Sequence, residues 1–215
     1  MRLVSAVYGG NYYPFDALDV IDDCVTTEDP NDLKAGDILV VWGGGDIHPS
    51  LYGHERSIMS QAGHQMSVRD RIEWNLMQQA RTLGIPIIGV CRGAQMLCAL
   101  DGGYLIQHST NHHGSHMVTT FDKDSFSTNS IHHQMMVPKL TTNKRVVAWT
   151  EPISDVYHIV NGEEQKLPKG WLPVEPEFIH FFDVNGYAIQ WHPEMTNPKE
   201  YSQKYVLDYL NEHIK

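Results

Sequence analysis

Cysteine is scarce in this chain: 215 residues carry three thiols, Cys24, Cys91 and Cys98. An odd number without Cys-x-x-Cys spacing argues against a disulfide framework or a zinc knuckle, and leaves reduced thiols free to react. Basic charge is short as well. Sixteen Lys and Arg stand against 26 Asp and Glu, a net charge of −10 with no basic stripe, which excludes nucleic acid as the expected ligand and favours a small molecule. No apolar run reaches membrane-spanning length, so no membrane is expected, and "MRLVSAVYGG" is too short and poorly formed for a signal peptide. The expected location is the cytoplasm. Internal repeats and low-complexity linkers are absent, and so is a GxxxxGK[ST] phosphate loop.

What is present is an ordinary globular composition, 41% hydrophobic and 20% charged, with length for one domain over residues 1–215. "RLVSAVY" and "DILVVW" read as buried strands, each ended by glycines. "SVRDRIEWNLMQQARTLG" reads as a helix, because Ile72, Leu76, Met77, Ala80 and Leu83 recur at helical spacing and Gly84 with Pro86 supplies the stop. The strand "IPIIGV" and a helix from Arg92 to about Leu100 follow. Alternating strands and helices predict βαβ units and a parallel sheet with helices on both faces. Beyond them, "YLIQH", "HMVTTF", "RVVAWT" and "VYHIV" predict smaller or antiparallel strands. "EFIHFFDVNGYAIQWH" predicts a hairpin closed by a type I′ turn at Asn185-Gly186. "NGEEQKLPKGWLPVEPE", with three prolines, reads as an inserted surface loop, and about Pro198 to Ile214 as a last helix.

Chemistry concentrates at "GVCRGAQ", where a buried strand turns into a helix. Such an elbow exposes its central residue above the carboxyl edge of a sheet, and flanking glycines leave room for the bend and for substrate. Cys91 would gain from the positive helix N-terminus, which favours thiolate, and the backbone N–H of Arg92 is a natural oxyanion donor. The alternative is a small buried cysteine whose glycines serve packing. A nucleophile needs a base and the base an orienter. "QWHPE" offers His192 and Glu194, two residues apart after the strand "YAIQW". Seen alone, such a pair is also a commonplace surface feature.

"GVCRGAQ" followed far downstream by "QWHPE" resembles the class I glutamine amidotransferase-like superfamily. That resemblance implies a flavodoxin-like three-layer α/β sandwich, with a mostly parallel central sheet and a small antiparallel extension. "GGGDIHPSLYG", the Arg69-Asp70 and Glu73 of "RDRIE", "GGYLIQH" and "NSIHHQ" bring the chain nearest to its γ-glutamyl-γ-aminobutyrate hydrolase family. The resemblance implies Cys91 as nucleophile, His192 as acid and base, Glu194 as orienter, and an oxyanion site between the N–H groups of Arg92 and Gly44. It implies no cofactor and no metal, a small γ-glutamyl substrate, and Ser130, His132 and His133 lining the substrate cleft. Gln95, one helical turn after Cys91, either binds the α-carboxylate or amine of the glutamyl group or is an ordinary helix glutamine. Arg69, Asp70 and Glu73 share a helix and read as structural.

The histidine-rich "HSTNHHGSH" carries no carboxylate or thiol at a familiar ligand spacing, so His108, His112, His113 and His116 predict no metal site. Residues 155–177 depart from the family pattern at the border of its cleft, which leaves the leaving amine open. Three functions follow: a hydrolase of γ-glutamyl amides, a glutaminase subunit passing ammonia to a separate synthetase, and a binding module without turnover on the same fold. A homo-oligomer or a synthetase partner is compatible with the first two.

Overall fold

The computed structural model describes residues 1–9, 11–160, 163–168, 170–197 and 200–215. In chain order, its first half runs β1 (Arg2–Ala6), β2 (Asp23–Thr27), β3 (Asp37–Val41), α1 (Val68–Leu83), β4 (Ile87–Val90) and α2 (Arg92–Leu100). The second half runs β5 (Tyr104–Ile106), β6 (His108–Ser109), β7 (His113–Thr120), β8 (Ser125–Ile131), β9 (Met135–Val137) and β10 (Lys144–Thr150). It ends with β11 (Val156–Val160), β12 (Glu163–Leu167), β13 (Glu175–Phe181), β14 (Gly186–Ile189) and α3 (Tyr201–His213).

One nine-stranded sheet organises the molecule in the order β2-β1-β3-β4-β14-β13-β10-β7-β8. The strands from β2 to β14 pair in parallel, and those from β13 to β8 continue antiparallel. The antiparallel part is therefore nearly half the sheet, larger than the small extension expected. β3 and β4 are buried at every residue, as unbroken apolar runs between two layers should be. Helices cover both faces. Leu76, Met77 and Ala80 of α1 pack with Ala94, Met96 and Leu97 of α2 on one face. Val206 and Leu210 of α3 pack with Phe178 and Trp191 on the other. Each of these leucine, methionine, valine and phenylalanine side chains contributes about 1.5–3 kcal/mol on burial.

Local chemistry sets the ends of α1. The Ser67 hydroxyl accepts from the Asp70 N–H, the Asp70 carboxylate accepts from the Ser67 N–H, and Gly84 closes the helix in the left-handed region at φ 68°. Elsewhere the expectations need correction. Where the βαβ pattern predicts helices, the connections β1–β2 and β2–β3 hold only short 3-10 turns among the described residues, Phe15–Ala17 and Pro30–Asp32, each opening at a proline that removes a backbone donor. The β13–β14 hairpin turns through four residues, Phe182 to Asn185, with only Asn185 left-handed (φ 48°), so it is not a two-residue type I′ turn. Part of the expected surface loop is strand β12, which pairs with β11 and through it with β6. The expected beginning of the last helix, Pro198, lies outside the described residues, as does Gly10 after β1.

Candidate active site

Cys91 stands between β4 and α2 with φ 49° and ψ −103°, a conformation costing a non-glycine residue about 1–3 kcal/mol. The surroundings hold it there. The Cys91 N–H donates to the Ile189 carbonyl at 2.7 Å, and the Cys91 carbonyl accepts from Gln95 N–H at 3.0 Å, starting the helix. A Cβ on Gly93 would run into the backbone of Val41, and one on Gly89 would lie 2.5 Å from the Gly93 carbonyl oxygen. The two glycines thus let α2 begin directly against β3 and β4, which aims its unbonded first-turn N–H groups and positive end at the Cys91 side chain.

His192 follows β14 and is largely buried. Its Nδ1–H donates to Glu194 Oε1 at 2.7 Å, and its ring shares one cleft with the Cys91 side chain, which lies near enough to influence its charge. Burial works against the imidazolium, but the interactions with Cys91 and Glu194 outweigh it and raise His192 to about 10. The backbone is clamped as well. Asn129, at the end of β8, accepts from the His192 N–H at 2.9 Å and donates to its carbonyl at 2.8 Å.

These groups open on a cleft of about 500 Å³ lined by Trp42, Gly43, Gly44, Cys91, His192 and Glu194, among others. The glycine turn after β3 is built to approach the ring: a Cβ on Gly43 would stand 2.5 Å from His192 Cε1. Gly44 is left-handed at φ 154°, and a Cβ there would strike the Arg69 guanidinium. Arg69 donates to the Gly43 carbonyl at 2.8 Å and the Trp42 carbonyl at 3.1 Å while pairing with Glu73 at 2.9 Å. Glu73 and Asp70 both pair with the buried guanidinium of Arg92. One ionic network therefore joins the glycine turn, α1 and the elbow. The three α1 residues are structural as expected, and what they support is the geometry of the cleft.

The other expected site residues lie elsewhere. Gln95 is turned inward, donating to the Gln134 carbonyl and Gln190 Oε1, both at 3.4 Å. Ser130 and His132 are buried, and His133 pairs with Asp46 at 2.9 Å and with His108 at 3.2 Å. None of the four lines the cleft beside Cys91. The histidine-rich segment also departs from expectation. His112 and His132 converge on a carboxylate after all, Glu177 from β13, so a ligand-like group exists that linear spacing could not reveal. Asn129, Arg69 as the turn's anchor, and Glu177 escaped sequence reasoning. Asn129 stood inside "NSIHHQ", where only its neighbours drew attention.

The arrangement can do nucleophilic chemistry on a carbonyl: a thiol at a helix start, an imidazole able to carry its proton, a carboxylate orienting that imidazole, and backbone N–H groups at the cleft. Similarities to known proteins agree. Residues 28–122 match the family described as Peptidase C26. A glutamine amidotransferase-like protein of Lactococcus lactis, YvdE, is 28% identical over 199 residues, covering 83% of this chain and 74% of that protein. The glutamine-hydrolyzing GMP synthase of Latilactobacillus sakei is 26% identical over 136 residues, 63% of this chain and 24% of that protein. In fold, the chain resembles a Thermoplasma acidophilum protein assigned to GMP synthase, with TM-score 0.59 and 15% identity over 100% of this chain and 92% of the other. No helix among the described residues is long and apolar enough to cross a membrane. Residues 28–122 thus carry the Peptidase C26 pattern, and the chain as a whole is similar to class I glutamine amidotransferase-like proteins.

Proposed function

We propose that residues 1–215 act as one glutaminase-like domain that hydrolyses γ-glutamyl amide bonds with Cys91, His192 and Glu194. The observation that carries this reading is the strained Cys91 elbow on one open cleft with His192, which Glu194 holds at 2.7 Å. Cys91 Sγ attacks the γ-carbonyl carbon, and the oxygen takes the carbonyl electron pair between the N–H groups of Gly44 and Arg92. Collapse expels the amine, which takes its proton from His192 and leaves a γ-glutamyl thioester. Water then loses a proton to His192 and attacks the thioester, releasing glutamate and returning the proton to the Cys91–His192 pair. Glu194 holds Nδ1 throughout, so the other ring edge faces the reaction.

The resemblance of "GGGDIHPSLYG" and "NSIHHQ" to the γ-glutamyl-γ-aminobutyrate hydrolase family supports water as acceptor. The similarity to GMP synthase favours a second reading, a glutaminase that passes ammonia to a synthetase on another chain. Steady-state glutamate release from free glutamine and from a panel of γ-glutamyl alkylamides separates them. Cleavage of alkylamides faster than glutamine, with no added partner, is the expected result. Weak glutamine turnover alone, rising only with a synthetase, overturns hydrolysis in favour of the second reading.

A further inference from the structure

In the interior of the antiparallel half, segments around three strands bring together nitrogen and oxygen donors that the proposed hydrolysis does not use. The ligand-capable atoms of His112, just before β7, His132, after β8, and Glu177 on β13 all lie within 4.8 Å of one another, and all three residues are buried. His112 Nδ1 is 3.6 Å and His132 Nε2 3.8 Å from Glu177 Oε1.

Hydrogen bonds fix which ring nitrogens are bare. His132 Nδ1 lies 2.9 Å from the Gln134 carbonyl, which can only accept, so Nδ1 bears the proton and Nε2 presents its lone pair. That Nε2 has no hydrogen-bond partner. His112 Nε2 lies 3.0 Å from the Glu175 carboxylate, which leaves Nδ1 turned to Glu177. The Ser130 hydroxyl near that Nδ1 spends its proton on the His112 carbonyl at 2.9 Å. Glu177 itself accepts from His116 Nε2–H at 3.0 Å, while its Oε2 is buried without a partner. Three acceptors thus face one another in the interior: His112 and His132 are steadied at the opposite ring nitrogen by Glu175 and a backbone carbonyl, and Glu177 accepts from His116 at Oε1, the oxygen that faces both rings. Bare imidazole nitrogens with carboxylate or carbonyl partners on the opposite ring edge are the outer-shell signature of metal ligands.

We infer that His112 Nδ1, His132 Nε2 and a Glu177 oxygen form a binding site for a divalent transition ion, of which zinc is the representative. Two imidazoles and one carboxylate suit such an ion, whereas calcium and magnesium call for oxygen sets. Bonds of about 2.0–2.2 Å in a four-coordinate site put ligand atoms roughly 3.4 Å apart, so two of the three separations need to contract by only a few tenths of an ångström. The ion would fasten β7, the β8–β9 connection and β13 together within electrostatic reach of His192, whose backbone Asn129 clamps from β8.

The test is titration of chelator-treated, dialysed protein with Zn²⁺ by calorimetry and with Co²⁺ by visible absorption. The expected result is one ion per chain, four-coordinate Co²⁺ bands without thiolate charge transfer, and a Tm raised by about 5–10 °C at a hundredfold excess over Kd. Glu177→Gln and His132→Gln should each weaken binding at least tenfold, Glu175→Gln by about 10–100-fold, and Cys91→Ala should leave it unchanged. No stoichiometric ion in folded wild type overturns the site in favour of a buried imidazolium–carboxylate pair. Binding that survives Glu177→Gln but vanishes in Cys91→Ala overturns it as well, because the ion would then sit on the thiol. Should the variants fail to fold, the wild-type Co²⁺ spectrum decides.

Discussion

Replacing Gly43 by alanine is a test of how closely the glycine turn governs the histidine. Neither Gly43 nor Gly45 has left-handed backbone, so alanine strains neither by conformation. The added methyl differs only in what it meets. At Gly43 it would stand 2.5 Å from His192 Cε1, and at Gly45 nothing lies within 4 Å. Carbon atoms rest about 3.5–4.0 Å apart, so the imidazole must retreat by about 1 Å. Asn129 clamps the His192 backbone and Glu194 holds ring Nδ1, so the overpacking should cost about 1–3 kcal/mol of stability. A displacement of about 1 Å at the reacting groups costs on the order of 100-fold in rate, or about 2.7 kcal/mol of barrier. Gly43→Ala should therefore lose about 100-fold in kcat/KM for glutamate release and slow alkylation of Cys91 by iodoacetamide, while Gly45→Ala stays within about twofold. Equal rates for the two variants in both assays would refute the reasoning, since the methyl would then have been absorbed without moving the ring.

Further expectations concern the groups around that ring. His192 should titrate near pH 10 when followed by imidazole NMR, and Cys91→Ser, which removes the neighbouring sulfur, should lower it by about a unit or more; an unchanged value would exclude the pairing. Because the folded pKa is raised above the unfolded value near 6.5, the stabilisation from this proton is complete below about pH 6.5 and is lost as pH rises through about 10, which urea melts across that window measure. Glu73→Gln leaves the buried Arg92 guanidinium with Asp70 as its remaining ion-pair partner and should cost about 3–5 kcal/mol in urea unfolding. Asn129→Ala removes both bonds to the His192 backbone and should lower kcat more than it alters KM, with about 1–3 kcal/mol lost in stability; a pure KM effect would place Asn129 on substrate instead.

How much of this was legible in the chain follows from the range of each interaction. The elbow could be read from "GVCRGAQ" because its requirements are local: a buried strand, two glycines where backbones touch, and a small nucleophile between them. His192 and Glu194 were legible for the same reason, since two residues and a proline keep their partners within one segment. α1 announced itself through periodicity and its caps. Strands β2 and β8 did not, because "DCVTT" and "SFSTNSI" carry few apolar residues, and their partners in the sheet, not their own pattern, make them strands. The approach of Glu177 to His112 and His132 joins residues far apart in the chain, so no spacing rule finds it. Helical geometry alone leaves two roles open for Gln95. One turn after Cys91 it does share a side of α2, but Gln134 and Gln190 draw its amide inward, away from the cleft.

Glutamate release from a γ-glutamyl alkylamide by wild type and by Cys91→Ala, with folding checked by circular dichroism, tests the central claim most directly. The account predicts turnover by the wild type and none above background in the folded variant. A folded Cys91→Ala protein that still releases glutamate at the wild-type rate would contradict it, because no thioester could then lie on the path.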